Sequence, residues 1–175
     1  MDIQDFKIIL IDKNLDIVEE YKKVSGKNVT TLQGNILLLD VEAVVSPANS
    51  FGRMNGGIDY WYTQFFGTGL QIQLQKEIHN LWKGELPVGK AIVVPTNHFP
   101  IKYLVSAPTM RTPQVLPSGS INAYLACKAA LEAAHISGIK SIAIPGLGTG
   151  VGGMAPKECA SQVQQAIIEF ERDYQ

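Results

Sequence analysis

The sequence predicts an α/β fold built around a layered sheet. Short apolar runs of strand length alternate with segments of helical periodicity. Two glycine-rich loops each follow an apolar run and precede a helix. Of the 175 residues, 46% are hydrophobic, which rules out a disordered chain and suits one sizeable core. One domain over residues 1–175 is expected.

Each element follows from its own pattern. Phe6 to Ile11 is an apolar run of strand length. Asn14 is placed to cap a helix that carries Leu15, Val18, Tyr21 and Val24 at helical spacing. Val29 to Leu32 reads as a second strand, turned by Gly34-Asn35, and Ala43 to Val45 as a buried one. The loop Ser46 to Gly57 is rich in Gly, Asn and Ser. Two helices follow, Ile58 to Phe66 with Ile58, Trp61, Tyr62 and Phe65, and Leu70 to Trp82 with Leu70, Leu74, Ile78 and Leu81 on one face. Gly67 and Gly69 break the chain between them. Ala91 to Val94 and Tyr103 to Val105 read as strands, a Pro-rich loop runs from Ala107 to Gly119, and a helix covers about Ser120 to His135. Ser141 to Ile144 is the last strand. After the loop Pro145 to Ala155, Pro156 suits the first turn of a helix that sets Cys159, Val163, Ile167 and Phe170 inward.

Composition narrows the function. A formal net charge of −1 gives no basic excess for nucleic acid or membrane surfaces. Cys127 and Cys159 are far apart, without disulfide-framework or metal-ligand spacing, and read as buried structural thiols. No apolar stretch is long enough to span a bilayer, and the N-terminus MDIQDFKIILID lacks a signal-peptide pattern, so a cytoplasmic location is expected. His79, His98 and His135 are scattered, with no Cys or carboxylate partner at ligand spacing, so no metal site is expected. His135, near a helix C-terminus, reads as a partner for the helix dipole.

The two loops carry the chemistry. Gly146, Gly148, Gly150, Gly152 and Gly153 crowd the second one, between strand and helix. Glycine lets the backbone approach a ligand and adopt positive φ, and successive N–H groups then form a nest for a phosphate or diphosphate. A mobile turn is the plain alternative. Gly148-x-Gly150-x-x-Gly153 also matches the dinucleotide fingerprint, but only one helix remains before the chain ends, without the further strand and acidic residue a dehydrogenase needs. A GxxxxGK[ST] loop is missing from the sequence. In the first loop, SPANSFGRMNGGID, Asn49 both donates and accepts, which suits sugar hydroxyls. Gly56-Gly57 permits backbone approach. Asp59 opens a helix, where it either favours the helix N-terminus or holds a water or ribose. Since ligands in such sheets sit at the carboxyl ends of strands, both loops are expected on one rim of one cleft.

These motifs resemble the macro domain family over nearly the whole chain. The family's first loop commonly reads V-N-A-A-N, a spacer, then G-G-G-V-D, and here Val45-Ser46-Pro47-Ala48-Asn49 precedes Asn55-Gly56-Gly57-Ile58-Asp59. The second loop resembles P-x-x-S-T-G-V-Y-G as Pro145-Gly146-Leu147-Gly148-Thr149-Gly150-Val151-Gly152-Gly153, and G-D-I becomes Gly34-Asn35-Ile36. The order and spacing of all three agree. The resemblance implies a three-layer α/β/α sandwich with a mixed, mostly parallel central sheet, and ADP-ribose or an ADP-ribosylated substrate as the ligand, with no cofactor. It places Asn35 and Ile36 at the adenine and Asn49 at the distal ribose. Ser46, Gly56, Gly57 and Ile58 belong to the first loop of the site. The backbone of Gly148, Thr149, Gly150 and Val151 cradles the diphosphate, Gly146 and Gly152 belong to the second loop of the site, and Asp59 takes the acidic position of the hydrolase branch. Asn49 and Asp59 are thus the catalytic candidates, for hydrolysis of an ADP-ribose conjugate. A non-catalytic ADP-ribose reader is the alternative, and an RNA-binding module a third class that the charge balance disfavours.

Three departures mark a divergent branch: Ser46 for the first Asn, Asn55 for the first Gly of the triplet, and Gly152 at the usual aromatic position. The last is expected to widen the distal site unless Phe51 or Met54 fills it. The aromatics Tyr60, Trp61, Tyr62, Phe65 and Phe66 read mainly as core, Tyr60 being the exception. Arg111 is a candidate neighbour of a phosphate or ribose.

Overall fold

A computed structural model of the chain describes residues 3–175; Met1 and Asp2, part of the expected 1–175 unit, lie outside the described residues. The strands are β1 (Lys7–Asp12), β2 (Val29–Gln33), β3 (Ala43–Ser46), β4 (Ile92–Pro95), β5 (Tyr103–Ser106) and β6 (Ser141–Ile144). The helices are α1 (Leu15–Tyr21), α2 (Gly57–Phe66), α3 (Gly69–Trp82), α4 (Asn122–Ile136) and α5 (Pro156–Asp173). Among the described residues no helix is long and apolar enough to cross a membrane.

The strands form one sheet in the order β2-β1-β6-β3-β5-β4. Every neighbouring pair is parallel except β4 against β5. Because side chains alternate across a strand, each central strand feeds two cores. Ile8 and Leu10 of β1, Ala43 and Val45 of β3, and Ile142 and Ile144 of β6 pack under α1, α4 and α5. Ile11, Val44 and Ala143 point the other way, into the core under α2 and α3. The result is the expected three-layer α/β/α sandwich with a mixed, mostly parallel sheet.

The helix stripes decide which residues face the sheet. On α5 the predicted stripe holds: Cys159, Val163, Ile167 and Phe170 are all fully buried. On α1 the buried side chains are Ile17, Val18 and Tyr21, while Leu15 is exposed and Val24 lies past the helix end. On α2 the stripe is Ile58, Tyr62 and Phe66, at four-residue steps, with Tyr62 fully buried. Trp61 and Phe65 sit one residue off that stripe and face outward with Tyr60, so the aromatic run is not mainly core. On α3, Leu70, Leu74 and Ile78 are buried, but Leu81 is exposed and neighbouring Trp82 packs on the core in its place.

His135 stacks edge-on against Phe6, Phe170 and Tyr174. Burial lowers its pKa from the ordinary value, which disfavours the charge that a partner for the helix dipole would carry. Cys127 and Cys159 are buried free thiols, as expected.

Candidate functional site

Five parallel strands bring their carboxyl ends to one rim. The segments that follow β1, β2, β3, β5 and β6 surround a cleft of about 500 Å³. Both glycine-rich loops line it, as predicted from their position after strands. Of the residues singled out from the sequence, Asn35, Ile36, Asn49, Gly56, Gly57, Ile58, Asp59, Gly146, Gly148, Thr149, Gly150, Val151 and Gly152 all line this cleft. Ser46 lies fully buried behind it.

The second loop is held open by its own hydrogen bonds. The Met154 N–H donates to the Gly148 carbonyl at 2.9 Å, and the Leu116 N–H to the Gly152 carbonyl at 2.8 Å. Gly148 has φ +71°, a conformation that favours glycine. The Gly146 N–H donates to Asp12 Oδ2 at 3.0 Å, and the Leu147 N–H to the Cys159 thiol at 3.4 Å. The N–H groups of Thr149, Gly150 and Val151 make no hydrogen bond to any described residue. An anion at this loop would find those donors free.

Gly152 leaves no room for a side chain in this loop. A Cβ there would stand 2.5 Å from the Gly148 carbonyl oxygen and 3.1 Å from the Leu116 side chain. Its bare backbone is needed for close packing inside the loop, so this position has no room for the family's aromatic. Nor do Phe51 and Met54 fill the space. Met54 is buried in the core under α2 and α3, and Phe51 is flanked by the guanidinium groups of Arg53 and Arg111.

In the first loop the Asn49 amide is engaged at both ends. Its Oδ1 accepts from the Phe51 N–H at 3.0 Å and the Arg53 N–H at 3.3 Å, and its Nδ2 donates to the Arg53 carbonyl at 3.0 Å. Asn49 shapes the loop that it was expected only to serve as a sugar ligand. Asn35 is also half-engaged, its Oδ1 accepting from the Leu37 N–H at 3.0 Å.

Asp59 lies in the first turn of α2 and is only 5% exposed. The Ser46 hydroxyl donates to its carboxylate. Burial raises the Asp59 pKa to about 7, against the smaller opposing pull of the Ser46 hydrogen bond. The departure at Ser46 is therefore tied directly to the acid in the cleft. Beneath them, the Tyr62 hydroxyl donates to the Val45 carbonyl at 2.9 Å and fixes α2 against β3. Among the described residues no three His, Cys, Asp or Glu side chains gather to hold a metal ion.

Fold and cleft meet a known family here. A family model described as Macro domain matches residues 45–163. The chain belongs to the macro domain family. It is 34% identical over 145 residues to an uncharacterized protein of Aquifex aeolicus, covering 82% of this chain and 83% of that one. It is 30% identical over 149 residues to the O-acetyl-ADP-ribose deacetylase of Escherichia fergusonii, covering 81% of this chain and 79% of the relative. A solved mutant of the Oceanobacillus iheyensis macrodomain with ADPR superimposes with a TM-score of 0.73 at 20% identity, covering 100% of this chain and 83% of that one. That last likeness establishes the fold.

Several residues of this macro domain's cleft escaped the sequence reading. Asp12, at the end of β1, accepts from the Asn14 N–H at 2.9 Å as well as from Gly146, and so joins the start of α1 to the second loop. Its signal was an acidic residue ending an apolar strand. Trp61 lines the cleft with Lys13, whose ammonium lies 5.6 Å from the indole centroid. Arg53 lines the cleft, whereas Arg111 does not: Arg111 pairs with Glu85 at 2.6 Å and stacks on Phe51. Thr109 and Met110 lie in the Pro-rich loop, which the sequence offered either as a border of the cleft or as a surface connection, and they are buried against the cleft.

Proposed function

We propose that this macro domain binds ADP-ribose, or a closely related nucleoside-diphosphate ribose, in the cleft and hydrolyses a conjugate of it. The observation that carries the catalytic half is Asp59, a carboxyl group in the cleft wall with a pKa of about 7. A group poised there is part carboxylate at neutral pH and can take a proton, then give it back. In the first loop, Gly56 and Gly57 have nothing within 4 Å of where a Cβ would stand, so a ligand can approach their backbone. The free N–H groups of the second loop take the diphosphate.

In this mechanism the diphosphate anchors the substrate and Asn49 keeps the first loop in shape around the distal ribose. The Asp59 carboxylate accepts a proton from a bound water. The water oxygen attacks the carbon that bears the leaving oxygen, the carbon–oxygen bond breaks, and the departing oxygen takes up a proton. Ser46 positions the Asp59 carboxylate through its hydroxyl. The name of the Escherichia fergusonii relative, a deacetylase of O-acetyl-ADP-ribose, supports an ester as one such conjugate.

The occupied Asn49 amide and the low exposure of Asp59 favour a second reading, a non-catalytic ADP-ribose reader. Two measurements separate the outcomes. Calorimetric titration with ADP-ribose should show saturable binding, weakened by Gly150→Glu. Turnover of O-acetyl-ADP-ribose and of an ADP-ribosylated peptide should then fall in Asp59→Asn while binding persists. Binding without turnover by the native chain leaves the reader; the absence of binding removes both.

A further inference from the structure

The walls of the cleft change character at one end. β1 and β2 pair side by side up to Asp12 and Gln33, and the Gly34 N–H donates to the Asp12 carbonyl at 3.0 Å. Lys13, which follows β1, and Gly34-Asn35, which follow β2, therefore leave paired strand ends on one rim, and Lys13 and Asn35 both line the cleft. Lys13 in turn sits over Trp61. This end is walled by Ile11, Ile17 and Ile36, and the Trp61 indole is 56% exposed beside it. An exposed indole next to an apolar wall offers a flat face that another flat ring system fills best. The glycine loop and Asp59 serve the diphosphate and the reacting carbon, which leaves this end for the base.

Asn35 presents one polar group here, and its orientation is settled. Its Oδ1 accepts from the Leu37 N–H at 3.0 Å. That bond decides which end of the amide is which. The nitrogen is the free end, with no hydrogen bond to any described residue, and an amide nitrogen only donates. Purines differ at carbon 6: adenine carries an amino donor there, whereas guanine and hypoxanthine carry an oxo acceptor. A donor facing the adenine amino group leaves both unpaired in a half-buried place, while a donor facing the oxo group makes a hydrogen bond.

We infer that the base end of the cleft selects a 6-oxopurine nucleoside diphosphate over its adenine counterpart, with Asn35 Nδ2 donating to the base oxygen and Trp61 stacking on the ring. The inference rests on the proposed reading of the cleft as a nucleoside-diphosphate-ribose site. It makes Asn35 the residue that sets base choice. The ribose and diphosphate contacts are untouched by it, so adenine ligands still bind, more weakly.

The test is calorimetric titration of the full chain with GDP, IDP, ADP and ADP-ribose, repeated on Asn35→Asp and Trp61→Ala. Asn35→Asp keeps the acceptor for the Leu37 N–H, so the local turn survives. The native chain should bind GDP and IDP alike, and each about tenfold more tightly than ADP. Asn35→Asp should reverse that order, and Trp61→Ala should weaken all the ligands together. ADP binding as tightly as GDP to the native chain overturns the base preference and leaves the proposed function standing. An unchanged order in Asn35→Asp overturns the role of Asn35. Absence of binding by every one of the four ligands overturns the reading of the cleft itself.

Discussion

Asp59→Asn should gain stability on the native chain as pH rises from about 4 to about 7. The native carboxyl group titrates at about 7 instead of 3.8, because burial disfavours its charged form. Below about pH 4 the group is protonated in both the folded and the unfolded chain, and the substitution changes nothing through charge. Between pH 4 and 7 the unfolded chain releases the proton while the folded chain retains it. Stability contributed by the neutral buried acid is therefore lost as pH rises through this window, and the loss levels off above pH 7. Each pKa unit is worth about 1.4 kcal/mol, so the full gap is about 4 kcal/mol. The variant amide still accepts from the Ser46 hydroxyl. Its extra N–H donors add a cost that does not depend on pH and so cancels from the comparison. Urea unfolding of both proteins at steps from pH 4 to pH 8 measures the gap directly. The variant should gain on the native chain by about 4 kcal/mol across that range, about 8–16 °C in melting temperature for a chain of this size. A gap constant to within about 0.5 kcal/mol would mean that folded Asp59 is ionised throughout, and the argument for a tuned general base would fail with it.

Other predictions follow from the same geometry. Ser46→Ala removes the hydrogen bond that lowers the Asp59 pKa, so the acid limb of the pH–rate profile should move to higher pH; an unmoved limb would separate Ser46 from the reaction. Gly150 has nothing within 4 Å of where a Cβ would stand, so Gly150→Glu should fold normally by thermal melting yet bind ADP-ribose at least about tenfold more weakly, through charge repulsion at the diphosphate. Gly152→Ala should behave oppositely, lowering stability by about 1–3 kcal/mol in urea, because its methyl group would stand 2.5 Å from the Gly148 carbonyl oxygen. Asp12→Ala leaves the Asn14 and Gly146 N–H groups without their acceptor and should cost about 1–3 kcal/mol, with faster amide exchange in the second loop.

The parts of this protein legible in the sequence are those set by local pattern. Apolar runs of strand length mark β1, β3 and β6 because these strands are buried on both faces, and the α5 stripe is plain because 18 residues give the helical period room to show. The ten-residue helix α2 is different: Ile58, Trp61, Tyr62, Phe65 and Phe66 fit two adjacent stripes equally well, and only the sheet beneath chooses Tyr62 over Trp61. The same limit governs the site. Glycine loops after strands locate the cleft, since backbone approach is a local property, but the state of Asp59 depends on Ser46, which arrives from the neighbouring strand, and on burial by the whole first loop. Arg111 and Arg53 look alike in sequence, and Glu85, brought in from beyond α3, draws one of them out of the cleft. At Asn35 a local and a distant fact meet. The Leu37 N–H, two residues on, orients the amide, and pairing of β1 with β2 brings it to the rim of the cleft that Lys13 and Trp61 also line. An aspartate there would place an acceptor where this chain places a donor, with the same turn and the same shape. On the proposed reading, a change that leaves the fold untouched can therefore change which base the cleft prefers, through the direction of one hydrogen bond.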